Sequence, residues 1–475
     1  MELKKIIVNF VIFIFIIISF FIIYISFQNY KNLPLYSYFL FFISFSIISV
    51  SLFILKFLNL NRKINFLLVV FFSLATLFVI NFSLILNDFY NPEPLRDKKQ
   101  RIKIAEKKGI KFDKRSKLEV ISDLTQNNKK AYNAILPSLL NKFAKENKIM
   151  PLSGISNSIT VYENETGEYL IYMSDRYGFN NNDFIYNKPT VDFLIIGDSF
   201  AHGANVKKGQ DVASILRKKG FNAITIGMGA NGPLAELASL IEYGIDLNPK
   251  NILWFYFSND LKDLVRELQN PILKKYLTRE NFKQDLILKQ KKIDKILIEF
   301  HENKIKDFKK LYKKNHFFKF KYVPSKFLSS NNSKKIFTLY QVRVLLKIDK
   351  GSFIKENKIT NETKEYFKRI FYKACEIIDK NNSQIFLINI PHYHILSKGA
   401  GYSDKFTENF INNLFIKKID FSKYLLEQEN FKIFFPFEMP GHFTKEGYEK
   451  LTEFILENIT YEGFDNCNYN KYNIN

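Results

Sequence analysis

Four short stretches carry the residue types of nucleophilic acyl chemistry. The apolar run Val191–Ile196 ends in Gly197-Asp198-Ser199. Such a run bounded by glycine predicts a buried strand. Open α/β sheets place their sites just past a strand's carboxyl end, so a hydroxyl at Ser199 would sit on an accessible rim. Downstream, Gly227-Met228-Gly229-Ala230-Asn231-Gly232 holds three glycines in six residues. Their backbone N–H groups can approach a ligand closely and stabilise an oxyanion. Asn259-Asp260 follows a third apolar run, Ile252–Phe257. A side-chain amide there can donate to the same oxyanion, a contact worth about 10²–10³ in turnover. His442, ahead of a C-terminal helix capped by Thr444, can take the serine proton and return it to a leaving group.

In this order and spacing, the series Gly197-Asp198-Ser199, Gly227, Asn259-Asp260 and His442 resembles the SGNH/GDSL hydrolase family, in particular its membrane-tethered members. The match covers roughly 191–260 and 431–458. The resemblance implies a flavodoxin-like α/β/α domain with a parallel sheet. It implies Ser199 as nucleophile, His442 as base, and the Ser199 N–H, the Gly227 N–H and the Asn259 side chain as oxyanion donors. Asp198 and Asp260 would support the turns. The sequence departs from the family pattern at Thr225, where asparagine is common, at Phe257, where glycine is usual, and at Met439, where the triad aspartate is expected. Glu438 is the nearest carboxylate to His442 in sequence and is the candidate acid; without it a Ser-His dyad would remain. The stretch Asp175-Arg176-Tyr177-Gly178-Phe179-Asn180 is similar to segments preceding the nucleophile strand in tethered members. It is expected at the domain edge, with Asp175 and Arg176 in structural roles.

Positioning these groups requires a sheet, and the chain predicts its parts. Val191–Ile196, Asn222–Ile226, Ile252–Phe257, Gln384–Ile390 and a short Phe431–Phe435 read as strands. Gln210–Lys219, Pro233–Tyr243, Asn361–Asp379 and Thr444–Asn458 read as helices. Before them, Thr160–Tyr162 and Glu168–Met173 flank Asn164-Glu165-Thr166-Gly167, a β-hairpin signature. Residues 91–150 read as a juxtamembrane helical spacer, 151–190 as hairpin and lead-in, 191–460 as the catalytic domain and 461–475 as a tail. Within the domain, about 270–350 is a basic, helix-compatible insertion. It is read either as a cap over the site or as a peripheral decoration. His301 and His316 within it are expected on the surface.

The first 90 residues are of another kind. Ile6–Phe27, Leu35–Leu55 and Phe66–Leu86 are nearly uncharged runs of about 21 residues, each long enough to cross a bilayer. They predict a three-helix membrane anchor rather than a cleaved leader, since the first run lacks a small-residue cleavage site. Lys4, Lys5, Lys56, Arg62 and Lys63 favour a cytoplasmic N-terminus and second loop, which puts the rest of the chain outside. The basic cluster Arg96–Lys103 opposes that orientation, but long domains translocate largely regardless of charge.

The net charge is +23 over 475 residues. Six basic and two acidic side chains in 1–88 leave +19 of it to the remainder. Lysine is spread broadly and no nucleic-acid motif accompanies it, so anionic glycans or the membrane surface are the expected attractors. His392 and His394 lie two apart without an Asp, Glu or Cys cluster, so no metal or cofactor is expected. The two cysteines, Cys375 and Cys467, form no framework, and one bridge between them is open to an extracytoplasmic domain. The sequence predicts a multi-pass bacterial inner-membrane protein with an extracytoplasmic serine esterase domain. Its substrate would be an O-acyl, first of all O-acetyl, ester of a cell-surface polysaccharide, and envelope glycan assembly proteins are candidate partners. An O-acetyltransferase is the alternative, and a non-catalytic glycan-binding scaffold a second one.

Overall fold

The computed structural model describes residues 2–29, 34–90, 93–126, 130–140, 144, 146, 148–317, 335–336, 339–345, 360–397, 411, 414 and 416–459. The expected tail and Cys467 lie outside the described residues. The chain divides into two units, Met1–Pro92 with Lys321–Ile354, and Glu93–Phe320 with Lys355–Asn475.

In the first unit, Glu2–Asn29, Pro34–Phe57 and Leu60–Tyr90 are helices. Two stretches, Glu2–Tyr24 and Leu60–Asp88, are long and apolar enough to cross a membrane; the apolar stretch Phe41–Phe57 of the middle helix is shorter. Their rare polar side chains are satisfied internally. Lys63 donates to Asn9 Oδ1 (2.9 Å) and to the Leu55 carbonyl (3.0 Å). Asn81 donates to the carbonyls of Lys335 and Ile336 and accepts from the Gln341 N–H. The expected insertion is therefore not one body. Its described piece around residues 335–345 belongs with the apolar helices, whereas Pro271–Thr278 and Gln290–Phe317 belong with the second unit.

The second unit is built on five parallel strands, β4 (Val191–Ile196), β5 (Ala223–Thr225), β6 (Pro249–Tyr256), β7 (Gln384–Asn389) and β8 (Lys417–Asp420), in the order β5-β4-β6-β7-β8. Numbered among themselves this is 2-1-3-4-5, the flavodoxin-like order. Strands β4, β6 and β7 are buried on both faces and read as largely apolar runs, as interior parallel strands do. Alternate side chains serve opposite layers. Leu194, Ile196, Ile252 and Trp254 pack with the helices Pro233–Ser239 and Asn361–Asp379. Phe193, Ile195, Leu253 and Phe255 pack with Val212–Lys218, Phe421–Leu426 and Lys445–Asn458. From β4 the chain steps one way to β5 and then back past β4 to β6. Ser199 follows β4 at this switch point.

A second, small sheet precedes it. Here β1 (Ala131–Asn133) runs parallel to β2 (Ile159–Val161), which pairs antiparallel with β3 (Ile171–Met173). The hairpin is as its turn sequence predicts. Strand β1 interrupts the helical spacer expected over 91–150, and its Tyr132 packs on the His301 ring at 5.3 Å. His301 is accordingly buried rather than on the surface; the His316 side chain lies outside the described residues. Phe431–Phe434 is a 3₁₀ turn rather than a strand. The fifth sheet position is filled by β8, and Phe431 and Phe435 pack on Tyr393 instead.

The Asp175–Asn181 loop seals the edge of β5. Asn181 accepts from Thr225 N–H (2.9 Å) and donates to Thr225 C=O (2.7 Å), as a neighbouring strand would. Asp175 is buried and accepts from the Tyr177 and Phe179 N–H groups, the Asn181 amide and the Tyr186 hydroxyl. Arg176 pairs with Asp183, not with Asp175. Replacing Asn181 by alanine leaves a buried N–H and a buried C=O unpaired. The expected loss is about 2–4 kcal/mol of unfolding free energy. The single tryptophan, Trp254, lies fully buried in β6 and reports this unit's unfolding by its fluorescence.

Candidate active site

The serine is presented by a tight turn. Gly197 has φ +144°, and a Cβ there would meet Phe255 at 2.9 Å, so β4 ends in a glycine that lets the chain turn close against β6. Asp198 caps the single helical turn Ser199–His202, accepting from Phe200 N–H at 3.0 Å. The turn sits hard against the end of β5. A Cβ on Gly227 would lie 2.4 Å from Ala201 Cβ. Thr225, a departure from the family pattern, fastens this contact by donating its hydroxyl to the Ala201 carbonyl at 2.7 Å.

His442 reaches the serine from the loop before the C-terminal helix, where Thr444 accepts from Gly447 N–H. Its Nε2 lies 2.8 Å from Ser199 Oγ. Its ring packs 4.9 Å from that of Phe200. The carboxylate that completes the relay is Glu165, from the turn of the β2–β3 hairpin. Glu165 Oε1 lies 3.1 Å from His442 Nδ1, and Oε2 accepts from the His442 backbone N–H at 2.9 Å. Two bonds from one carboxylate fix both the ring and the backbone of the histidine. They also set the tautomer, with the proton on Nδ1 and the lone pair of Nε2 facing the serine. The Asn205 side-chain amide also lies 2.9 Å from Nδ1, where its oxygen is the atom able to accept the Nδ1 proton. Asn205 adopts φ +65°, a left-handed conformation that asparagine tolerates better than most residues.

Glu438 is not brought to the histidine. Phe437 and Glu438 both have positive φ, which turns the Glu438 side chain outward, and its exposed carboxylate pairs with Lys108 at 2.8 Å. The candidate acid is therefore corrected from Glu438 to Glu165.

Arg101, from the helix Glu93–Lys107, holds this junction. Its guanidinium is buried and donates to the carbonyls of Glu165, Pro436 and Pro440, while standing 3.9 Å from the Glu165 carboxylate. One side chain thus ties the hairpin turn to the loop carrying His442. Gly441 makes room for it. A Cβ there would lie 2.4 Å from Glu165 Oε2 and 2.7 Å from Arg101 Nη2.

The charges follow from these contacts. Burial alone would raise the Glu165 carboxyl, but His442 and Arg101 hold it down at about 2. Burial pushes the His442 imidazole down, and the facing Glu165 more than offsets this, so it is raised above an ordinary histidine. His202 is the opposite case. Its Nε2 meets the Tyr172 hydroxyl at 3.0 Å, its ring packs on Tyr162, and burial lowers it to about 4. It is a neutral core histidine.

The expected oxyanion donors are near but engaged. Gly227 N–H donates to Thr225 Oγ1 at 3.1 Å. The Asn259 amide donates to Asp263 Oδ2 at 3.0 Å and also bonds Asp198. Asp260 accepts from Phe257 N–H at 3.1 Å and braces the turn after β6. Below them lies a bed of buried carboxyls, Asp198, Glu236, Asp260, Asp263 and Glu267. Burial raises each of them, Asp263 to about 6 and Glu267 to about 7. His392 stacks on Phe257 and on His394, and no metal-ligating cluster exists among the described residues.

Glu165→Gln is expected to lower serine reactivity by about 10²–10⁴ while Glu438→Gln leaves it unchanged, read as ester turnover or as the rate of serine labelling. Arg101→Gln loosens the acid and is expected to cost up to about 10²-fold. It also removes a charge that lowers the His442 pKa. The acid limb of the pH–rate profile then moves to higher pH, a shift that loss of packing alone does not produce. No family model matches this chain, and no curated protein matches it.

Proposed function

We propose that the chain is a membrane-anchored serine hydrolase of the SGNH type. Its catalytic unit would stand outside the cytoplasm of a bacterial inner membrane and act on O-acyl esters of cell-surface glycans. The observation that carries the chemistry is the Ser199–His442–Glu165 relay, assembled at hydrogen-bonding distances at the switch point of a parallel sheet. The anchor would be the three N-terminal helices, with Pro34–Phe57 as a third span beside the two long apolar ones.

In the proposed reaction, Ser199 Oγ attacks the ester carbonyl and its proton passes to His442 Nε2. The imidazolium is stabilised by Glu165, which stays ionised throughout. The tetrahedral oxyanion draws the Asn259 amide from Asp263 and the Gly227 N–H from Thr225. Collapse breaks the ester C–O bond, and His442 returns the proton to the leaving sugar oxygen. An acyl-Ser199 remains, which water attacks with His442 again as base; the acyl–Oγ bond then breaks, the carboxylic acid leaves and His442 returns the proton to Ser199 Oγ. A sugar hydroxyl in place of that water makes the same intermediate a transferase.

The test is covalent labelling of the full chain in detergent with a fluorophosphonate. Wild type is expected to label and Ser199→Ala not at all, with His442→Ala slowed by at least about 10²-fold. Absence of labelling in folded wild type overturns the reading. Acetylated oligosaccharides, with and without an acceptor glycan, then separate hydrolysis from transfer. The base must be neutral, so activity is lost as pH falls through the raised His442 pKa. The midpoint of the acid limb is expected above 6.5. In Glu165→Gln it is expected at lower pH than in wild type, because burial then acts without the Glu165 charge.

A further inference from the structure

A cleft of about 410 Å³ is lined by the chain neighbours of the relay's histidine and acid. This is the size of a ligand pocket and not of a water site. Thr166 follows Glu165, Val206 follows Asn205, and Thr444 stands two residues after His442. Four lysines, Lys108, Lys111, Lys207 and Lys445, border it against two glutamates, Glu168 and Glu446.

Three of those lysines are held in exposed ion pairs: Lys108 with Glu438 at 2.8 Å, Lys207 with Glu168 at 2.8 Å and Lys445 with Glu449 at 3.6 Å. Exposed pairs of this kind add little to stability, so an anionic ligand can exchange them at little cost. Phe437 lines the cleft and rests on Phe112 with ring centroids 5.8 Å apart. Its backbone sits at φ +58°, ψ +21°. For a bulky aromatic residue this conformation is strained, and strain of this kind collects at ligand clamps. The neighbouring Glu438 shares the positive φ, so the turn presents the ring on one side and a carboxylate for Lys108 on the other. An aromatic platform suits the C–H face of a sugar, and a lysine rim suits acidic substituents on it. The net charge of +23 adds a long-range field that gathers polyanions.

We infer that this cleft is a subsite for an anionic glycan, a chain whose sugars bear carboxylates or phosphates, and that it holds the polymer while a neighbouring acylated sugar meets Ser199. The inference rests on the esterase reading for its catalytic consequence and stands apart from it for binding.

The experiment therefore has two arms. In the first, full-length Ser199→Ala in detergent is titrated with oligogalacturonate, with a phosphate-bearing glycan of equal length, and with neutral xylo-oligosaccharide. The anionic chains are expected to bind at least about tenfold more tightly than the neutral one, and to lose that preference as salt rises. The carboxylate and phosphate chains tell the two charge sources apart. In the second, wild type, Lys111→Glu/Lys445→Glu and Phe437→Gly are compared on O-acetylated oligogalacturonate. Charge reversal is expected to raise KM by about tenfold or more with kcat retained. Phe437→Gly is expected to weaken binding about tenfold, with the Trp254 unfolding transition checking that the variant is folded. Equal binding of neutral and anionic chains, or binding indifferent to charge reversal in folded protein, overturns the inference. Binding without turnover keeps the subsite and removes the esterase reading. Turnover without charge preference does the reverse.

Discussion

The grip of Glu165 on His442 is the contact around which the candidate site is arranged. A carboxylate with little water around it must be compensated. Here the compensation is a charge-assisted bond to the ring, a second to the backbone N–H of the same residue, and a buried guanidinium 3.9 Å away. Each partner comes from a different part of the chain: the hairpin turn, the loop before the C-terminal helix, and the helix Glu93–Lys107. The geometry is therefore a tertiary product, and local features that look incidental become necessary. Gly441 has no side chain because the carboxylate and the guanidinium occupy that volume. Gly167, at φ +104°, closes the turn where a Cβ would stand 2.9 Å from the Lys111 carbonyl. Arg101 spends its donors on three carbonyls instead of on a strong bidentate pair, so it fixes the loops without neutralising the acid.

The sheet was largely legible in the sequence, and for a physical reason. Strands β4, β6 and β7 are buried on both faces, so they appear as unbroken apolar runs ended by polar or glycine turns. The edge strand β8, Lys417-Lys418-Ile419-Asp420, has only one fully buried side chain and gives no such signal. Conversely Phe431–Phe435 looks like a strand but packs as an aromatic 3₁₀ turn, because apolar content reports burial and not backbone pairing. Ser199 and His442 were legible because each sits beside its own punctuation, a glycine turn after a strand or a cap before a helix.

The acid was not legible, and proximity in sequence was misleading. Glu438 is four residues from His442, but two consecutive left-handed residues point it at Lys108. Glu165 is 277 positions away. What the sequence did contain was the turn itself: Asn164 Oδ1 accepts from Gly167 N–H at 2.8 Å, an Asx-type closure that makes Asn164-Glu165-Thr166-Gly167 a rigid display for its second residue. A carboxylate on so defined a turn was a candidate for a role, but nothing local said which histidine it would meet. Thr225 carries the same lesson in reverse. A departure from the family pattern can be a working part, since its hydroxyl bonds both Gly227 N–H and the Ala201 carbonyl and so joins the second strand to the serine turn.

The engaged oxyanion donors bear on how the proposed reaction would begin. An empty hole lined by free N–H groups is costly in a site with little water, and here the resting protein fills those valences itself. Asn259 is held by Asp263, whose carboxyl burial raises to about 6, and by Asp198, which burial also raises. Burial disfavours the charged form of both carboxyls, which makes them weaker acceptors than freely solvated carboxylates. A full negative charge developing on the substrate is a stronger acceptor than either. In the proposed reaction this bed would hold the Asn259 amide in the ground state and release it to the oxyanion as charge develops, which is the differential binding on which catalysis depends.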